Sequence, residues 1–299
     1  MNTYKLEYIW LDGYTPQQLR SKLKIVKSRK LSLELSDVND WSFDGSSTKQ
    51  AIGSNSDCIL RPVRISTNHN RRNYYLVLCE VFNSDGTPHP SNTRAKLREY
   101  KHNFTKNKYW WGFEQEYFMV KDNRIFGWPT EGMPKPQGEF YCAVGDGNVV
   151  GRQLSNRHVE KCIDSGIGIT GTNAEVALGQ WEYQIFDKDT LKVGDDFILA
   201  KYLLIKEAEK WGIGIDFHPK PVKGDWNGSG CHINFSTVKT RNYGGKKLFD
   251  SICKTLGDNH EIHMKDYGLY NDERLTGLHE TQHIEQFSYG VSDRGASIR

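Results

Sequence analysis

Two glutamates stand two residues apart in "WWGFEQEYF", Trp110 to Phe118, a stretch otherwise aromatic and apolar. Such a stretch predicts a strand. Side chains two apart on a strand share a face, so Glu114 and Glu116 point the same way, roughly 6.5–7 Å apart. Like charges that close repel, and a core-like setting strips each of hydration. Taken alone, the pair also describes a half-exposed strand with both carboxylates in water. Companions lie elsewhere in the chain. Glu175 sits in "GTNAEV", and Glu182 sits in the aromatic strand-like "QWEYQIF". In "GDWNGSGCHINFS" a glycine-rich turn enters a short alternating strand. On that strand His232, Asn234 and Ser236 face one way, and Cys231, Ile233 and Phe235 the other. His232 by itself equally reads as a hydrogen-bonded core histidine.

Four carboxylates and one imidazole make a hard, oxygen-rich ligand set. It suits Mg²⁺ or Mn²⁺ better than Zn²⁺ or copper. The set is too acidic for one octahedral ion that keeps its waters, and it suits two or more. Paired Mg²⁺ ions accompany phosphoryl chemistry. Bound phosphates call for cations. "NDERLTGLHE" holds Arg274, and "GVSDRGASIR" holds Arg294 and Arg299. Arginine forks match phosphate and carboxylate oxygens in pairs, although each one alone also describes a surface residue. "GGKKLF" lacks the spacing of a Walker loop, and "GDGNVVG" is read as a plain loop.

Strands and helices must hold these groups. Residues 4–82 read mostly as strands, ending in the buried-looking "NYYLVLCEVF" (Asn73 to Phe82). "NSDGTPHPSNTR" (Asn83 to Arg94) is rich in turn residues and marks a linker. Beyond it, "SNRHVEKCIDSGI" predicts a helix over Ser155 to Ile167, with a Ser or Asn cap and a Gly stop. Three- and four-residue apolar spacing predicts a helix over Asp195 to Ile213, and another lies within "GKKLFDSICKTLGDNHEIHMKDYG". The expected class is α+β. A small β-rich N-terminal domain precedes a larger mixed domain.

The chain has 299 residues, of which 37% are hydrophobic and 26% charged, a composition that folds. Its net charge of +3 is too small to argue for nucleic acid. The basic run "RSKLKIVKSRK", Arg20 to Lys30, reads as a solvated face. The six cysteines contain no C-x-x-C pair, which argues against a ribbon-type zinc site. The N-terminus lacks the pattern of a signal peptide. No apolar run approaches the roughly 20 residues of a membrane span. The expectation is a cytoplasmic chain with reduced thiols and no membrane or nucleic-acid partner.

Together, "WSFDGSST", "GSNSD", "GFEQEYF", "FGWP", "GTNAEV", "QWEYQI", "WNGSGCHINFS", "RLTGLHE" and "ASIR" resemble the glutamine synthetase family of the eukaryotic type (class II), in the family's order and spacing. The resemblance runs from about residue 4 to the last residue. It implies a β-grasp-like domain over residues 1–86, a linker over 87–94, and a catalytic domain over 95–299 with an antiparallel sheet and flanking helices. It also implies an ATP-dependent ligase that joins ammonium to L-glutamate through a γ-glutamyl phosphate, with two or three Mg²⁺ or Mn²⁺ ions per site. Glu116, Glu175 and Glu182 resemble ligands of the metal at the glutamate and ammonia site. Glu114 and His232 resemble two ligands of the metal on the nucleotide phosphates. Asn227 and Gly228 would line the glutamate site, with Arg274 and Arg294 on its carboxylates and the transferred phosphate. Arg299 resembles a phosphate-binding arginine, Trp110 the residue beside the adenine, and Ser236 one near the nucleotide. Asp44 resembles the ammonium-binding aspartate, with Ser47 and Asp57 close by. Glu280 resembles the flap glutamate that closes the site.

The same resemblance implies a homo-oligomer, two stacked pentamers forming a decamer with shared sites. Family members continue beyond "ASIR" through an E-D-R-R-P motif, which carries a third ligand to the nucleotide metal and an arginine for glutamate. The expectation for the 299 residues taken literally is therefore weak turnover. The alternative reading is a catalytically impaired relative, a nucleotide- or glutamate-binding structural or regulatory subunit.

Overall fold

The computed structural model describes residues 1–67 and 71–299. The chain forms two compact units. One comprises residues 1–106, 160–168 and 187–203, and the other residues 107–159, 169–186 and 204–299.

The first unit is built on a five-stranded sheet of β1 (Asn2–Leu11), β2 (Leu19–Ser28), β3 (Trp41–Asp44), β4 (Asp57–Thr67) and β5 (Tyr74–Asn83), in the order β2-β1-β5-β4-β3. β1 and β5 run parallel at its centre, and the other neighbours are antiparallel. Because it is central, β5 is buried along nearly its whole length, as its continuous apolar run requires. Tyr4, Leu6, Tyr8, Trp10, Val77 and Val81 form the core on one face. On the other face, the Glu7 carboxylate accepts from the hydroxyls of Tyr74 and Tyr202, each at 2.5 Å. These bonds satisfy a charge that is otherwise costly to bury.

The basic run of β2 is only partly a solvated face. The ammonium of Lys22 sits 3.5 Å from the centroid of the Trp41 ring. Burial and the neighbouring Lys24 lower its pKa. The lysine stems thus cover an aromatic edge of the core.

A helix that apolar periodicity does not announce follows the sheet. α1 (Thr93–Lys106) is mostly polar, with Ala95 its buried residue. Its start is set by Asn92, whose Oδ1 accepts the Ala95 N–H at 3.0 Å. Arg94 then reaches two acids of its own unit, Glu80 at 2.7 Å and Asp195 at 2.7 Å. Arg98 adds a second ion pair to Glu80, and Arg64 pairs with Asp196. Burial opposes ionisation of Glu80, but bonds from Arg98, Arg94 and Asn92 hold its carboxyl below the usual range.

Two expected helices begin earlier than the cap signal of the one and the apolar spacing of the other suggest. α2 (Arg152–Asp164) opens three residues before Ser155, which is an interior residue rather than a cap. The Ser155 hydroxyl bonds the Thr172 hydroxyl at 2.8 Å. The expected stop holds, with Gly166 at φ +68°. α3 (Thr190–Ala208) opens five residues before Asp195, because Asp189 Oδ1 accepts the N–H groups of Leu191 and Lys192, each at 2.9 Å.

The second unit is organised around β6 (Trp110–Lys121). Its sheet also contains β7 (Arg124–Ile125), β8 (Ile169–Ala174), β9 (Gln180–Asp187), β10 (Gly214–Asp216) and β11 (Cys231–Ser236). The order is β10-β6-β9-β8, with β11 and β7 also paired to β6. β10 uses one end of the β6 edge and β11 the other, both antiparallel. Tyr117, Phe118, Met119, Trp181 and Tyr183 pack this sheet with exposures of 1% or less. Four helices complete the unit, α4 (Val238–Tyr243), α5 (Lys246–Asp258), α6 (His260–Asp266) and α7 (Asn271–Arg274).

Candidate metal centre and active site

The strand reading of the two glutamates holds, and neighbouring strands supply what faces them. β11 runs antiparallel to β6 with His232 directly opposite Glu114 and Asn234 opposite Gly112. Directly opposed residues point to the same face. The Nδ2 of Asn234 donates to Oε1 of Glu114 at 2.7 Å, and Nδ1 of His232 lies 3.5 Å from Oε2 of Glu114. His232 and Asn234, helped against burial, hold the Glu114 carboxyl below its usual pKa. Glu182 enters from β9. Single ligand atoms of Glu114, Glu182 and His232 all lie within 4.8 Å of one another.

Glu116 and Glu175 flank this trio. Glu116 is 9% exposed. Its Oε2 accepts the Gly230 N–H at 2.8 Å and the Gln180 amide at 3.2 Å. Glu175 accepts from Asn173 at 2.9 Å. Burial, with the charges of Glu116 and Glu182, nonetheless pushes its pKa up to about 7. Burial also raises the Glu182 pKa, with Glu114 and Glu116 adding to the effect.

The donor set fits a divalent cation on two observations. Among the described residues the carboxylates crowd without a lysine or arginine bonded to them, so each raises the cost of ionising the next. The Nδ1 of His232 is buried and lacks a well-formed hydrogen bond, its contact to Glu114 being longer than a normal one. Oxygens with one imidazole suit a hard ion.

The cations expected from sequence are in the same unit. Arg274 is half-buried with its Nε enclosed, and burial lowers its pKa while the Glu116 charge opposes that shift. Its side chain lies along the loop of Asn227 to Gly230. A Cβ on Gly228 would come within 2.4 Å of the Pro219 oxygen and 2.6 Å of Arg274 Cγ. A Cβ on Gly230 would come within 2.6 Å of the Arg274 guanidinium. Those glycines are therefore required by close approach. Arg299 acts electrostatically on both Glu114 and Arg274. Arg294 lies 3.6 Å from the exposed Glu280 carboxylate.

At the far end of β11, Ser236 and Trp110 are cross-strand partners. A residue that sequence reading missed joins them. The guanidinium of Arg241, on α4, sits 3.9 Å from the Trp110 ring centroid and donates to Ser236 Oγ at 2.8 Å. Its only sequence signal is an arginine one helical turn past a strand, which is too common to single out.

Asp44, Ser47 and Asp57 belong to the first unit. Asp44 caps a 3-10 turn, accepting from the Ser46 N–H at 3.0 Å and the Ser47 hydroxyl at 2.6 Å. Bonds from Ser46 and Ser47 lower its pKa. Asp57 is its register partner on β4. All three side chains are exposed in that unit.

Comparison with known proteins decides the family. The glutamine synthetase catalytic domain model matches residues 91–253, more than half of the chain. The chain is 49% identical over 304 residues to a glutamine synthetase of Bradyrhizobium diazoefficiens, spanning 100% of this chain and 86% of that one. This chain belongs to the glutamine synthetase family. It is likewise 49% identical to a chloroplastic glutamine synthetase of Chlamydomonas reinhardtii (98% of this chain, 80% of that one). A glutamine synthetase of Agaricus bisporus is 45% identical (98% and 82%). The cryo-electron-microscopy structure of Plasmodium falciparum glutamine synthetase shares the fold, with a TM-score of 0.74 at 16% identity, covering 98% of this chain and 64% of that chain. The α+β class is borne out. Nothing in these comparisons supports the non-catalytic alternative. Among the described residues no helix is long and apolar enough to cross a membrane, and all six cysteines are free.

Proposed function

We propose that this chain is a glutamate–ammonia ligase that makes glutamine from L-glutamate, ammonium and ATP, giving ADP and phosphate. The convergence of Glu114, Glu116, Glu175, Glu182 and His232 beside Arg274 and Arg299 carries the reading. The γ-carboxylate of glutamate attacks the terminal phosphate of ATP, and arginine forks stabilise charge on the transferred group. Arg274, Arg294 and Arg299 take that role, and Asn227 and Gly228 line the glutamate site. Trp110, Ser236 and Arg241 receive the nucleotide. Mg²⁺ or Mn²⁺, two or three per site, would be held by Glu116, Glu175 and Glu182 and by Glu114, Glu182 and His232. Such ions offset phosphate charge when bound. Ammonium must lose a proton before it attacks the acyl phosphate, and a nearby carboxylate both attracts the cation and accepts that proton. Asp44, steadied by Ser47 and beside Asp57, takes this part. Glu280 closes the site against water.

The same reading divides the chain into residues 1–86, a linker over 87–94 and a catalytic domain over 95–299. It assembles the subunits as a cytoplasmic decamer of two pentameric rings with shared sites. The deciding experiment follows ¹⁵N-ammonium into glutamine by NMR, leaving out ATP, glutamate or the divalent ion in turn. Glutamine should form only in the complete mixture. Phosphate release that ignores glutamate and ammonium would overturn the proposal.

A further inference from the structure

Glu280 stands at the tip of a hairpin within the second unit. Thr276 and His283 form an antiparallel bridge, and the Ile284 N–H donates to the Leu275 carbonyl at 2.9 Å. The Thr281 N–H and hydroxyl both donate to the Leu278 carbonyl, at 3.2 and 2.7 Å, closing a four-residue turn. Its central residues, His279 and Glu280, have φ of 55° and 58°. Positive φ at both central positions is the type I′ pattern, which favours Asn-Gly. Here both residues carry a Cβ, for which this region is unfavourable. A turn so built persists where its surroundings hold it.

The His279 ring provides that hold. Its side chain is 15% exposed, whereas that of Glu280 is 56% exposed. Nδ1 of His279 lies 3.3 Å from Nε2 of Gln137, and Nε2 lies 3.3 Å from Oδ1 of Asp225. Oε1 of Gln137 accepts the Asn227 N–H at 2.6 Å. With its oxygen so committed, Gln137 offers His279 a donor, leaving Nδ1 as acceptor and Nε2–H as donor to Asp225. The Asp225 carboxylate is 99% exposed, so that contact is the weaker one. The Gln137 amide is therefore the stronger of two described links between the turn of Glu280 and the loop of Asn227 and Gly228.

We propose that Gln137 and His279 are positioning residues that couple the glutamate-binding loop to the Glu280 turn. The inference deepens the ligase reading and rests on it. With the tie intact, closing the turn and seating glutamate are one event, and ammonia meets the acyl phosphate in a dry site. With the tie cut, water gains access. Its oxygen bonds to the γ-carbonyl carbon while the bond from that carbon to the bridging phosphate oxygen breaks. Phosphate leaves with the electron pair, and the proton lost by water passes to solvent. The products are glutamate and phosphate, so ATP is consumed without glutamine.

The test uses the full chain with His279→Gly, Gln137→Leu and the double substitution. Glycine suits the turn's backbone better than histidine, so His279→Gly removes the ring without straining the turn. Glutamine formed per phosphate released should fall about tenfold in each single variant, the scale expected of a misplaced site. The double variant should fall no further, because both substitutions cut one tie. Melting temperatures should stay close to that of the parent. A ratio unchanged in either single variant, or a double variant at the product of the two, would overturn the coupling. Hydrogen exchange judges the tie independently of turnover. In His279→Gly the Asn227 amide should exchange about tenfold faster although its acceptor, Gln137, remains. Unchanged exchange overturns the coupling even if the parent makes glutamine. Faster exchange in a chain that makes none upholds the tie and refutes the ligase reading instead.

Discussion

His232 and Glu114 are direct cross-strand partners on β11 and β6, with Nδ1 of the one 3.5 Å from Oε2 of the other, and Glu182 completes the group from β9. Three strands distant in sequence thus aim hard donors at one point. A divalent ion that binds only the folded chain stabilises it by about 2.7 kcal/mol at a hundred times its Kd. Adding Mg²⁺ or Mn²⁺ should therefore raise the melting temperature by several degrees over the chelated protein. Glu182→Ala or His232→Ala should weaken the ion's binding by at least about tenfold and shrink that rise. Identical melting curves with chelator and with ion would show that the cluster holds no metal.

Glu175 gives the metal-free protein a pH dependence of known sign. Its carboxyl keeps a proton in the folded state up to about 7, against an ordinary value of 4.5. Between those values the folded state binds more protons than the unfolded state, so stability falls as pH rises through this window. Denaturant titrations of chelated protein should show that loss between pH 5 and pH 7.5, against the gain expected from ordinary carboxylates. Saturating Mg²⁺ should remove it, because the ion needs the deprotonated form. Glu175→Gln should shrink the dependence without any ion, leaving the smaller part of the same sign that the raised Glu182 carboxyl contributes. A slope that Glu175→Gln leaves unchanged belongs to other groups.

Arg241 covers the Trp110 ring at 3.9 Å and bonds Ser236. A planar cation over an aromatic contributes about 0.5–2 kcal/mol. Arg241→Ala should raise the KM for ATP by roughly tenfold and leave the KM for glutamate within about twofold. If the two constants moved together, or only that for glutamate moved, Arg241 would have no place in the nucleotide site.

Assembly gives the sharpest test of Asp44. The proposed ring makes the contact between subunits heterologous, with Asp44 of one subunit completing the metal-bearing site of the next. Asp44→Ala and Glu116→Ala should each be nearly inactive alone. After mixing in equal amounts and exchange of subunits, about one site in four should pair the two intact halves. Activity should then rise to roughly a quarter of the parent's. Exchange confirmed by mass spectrometry, with activity still at the level of the single variants, would leave each subunit with a site of its own.

The residue types alone determined much of the chemistry. Alternation in "WWGFEQEYF" and in "CHINFS" fixed which side chains share a face, and their hardness pointed to a divalent ion before any strand was paired. Apolar spacing was enough to find the body of α3. It did not find its start, which Asp189 sets through backbone bonds, nor α1, whose polar surface carries almost no hydrophobic period. Only the tertiary structure decided that Glu182 stands with Glu114 and His232, that Arg241 lies over Trp110, and that Gln137 ties Asn227 to His279. Each of these contacts joins segments separated by long stretches of chain. The order of strands around β6 creates the first two, and that order comes from burial and ladder pairing across the whole sheet, which no local period in the sequence encodes. The third joins loop and turn residues through side-chain and backbone hydrogen bonds, which local patterns do not encode either.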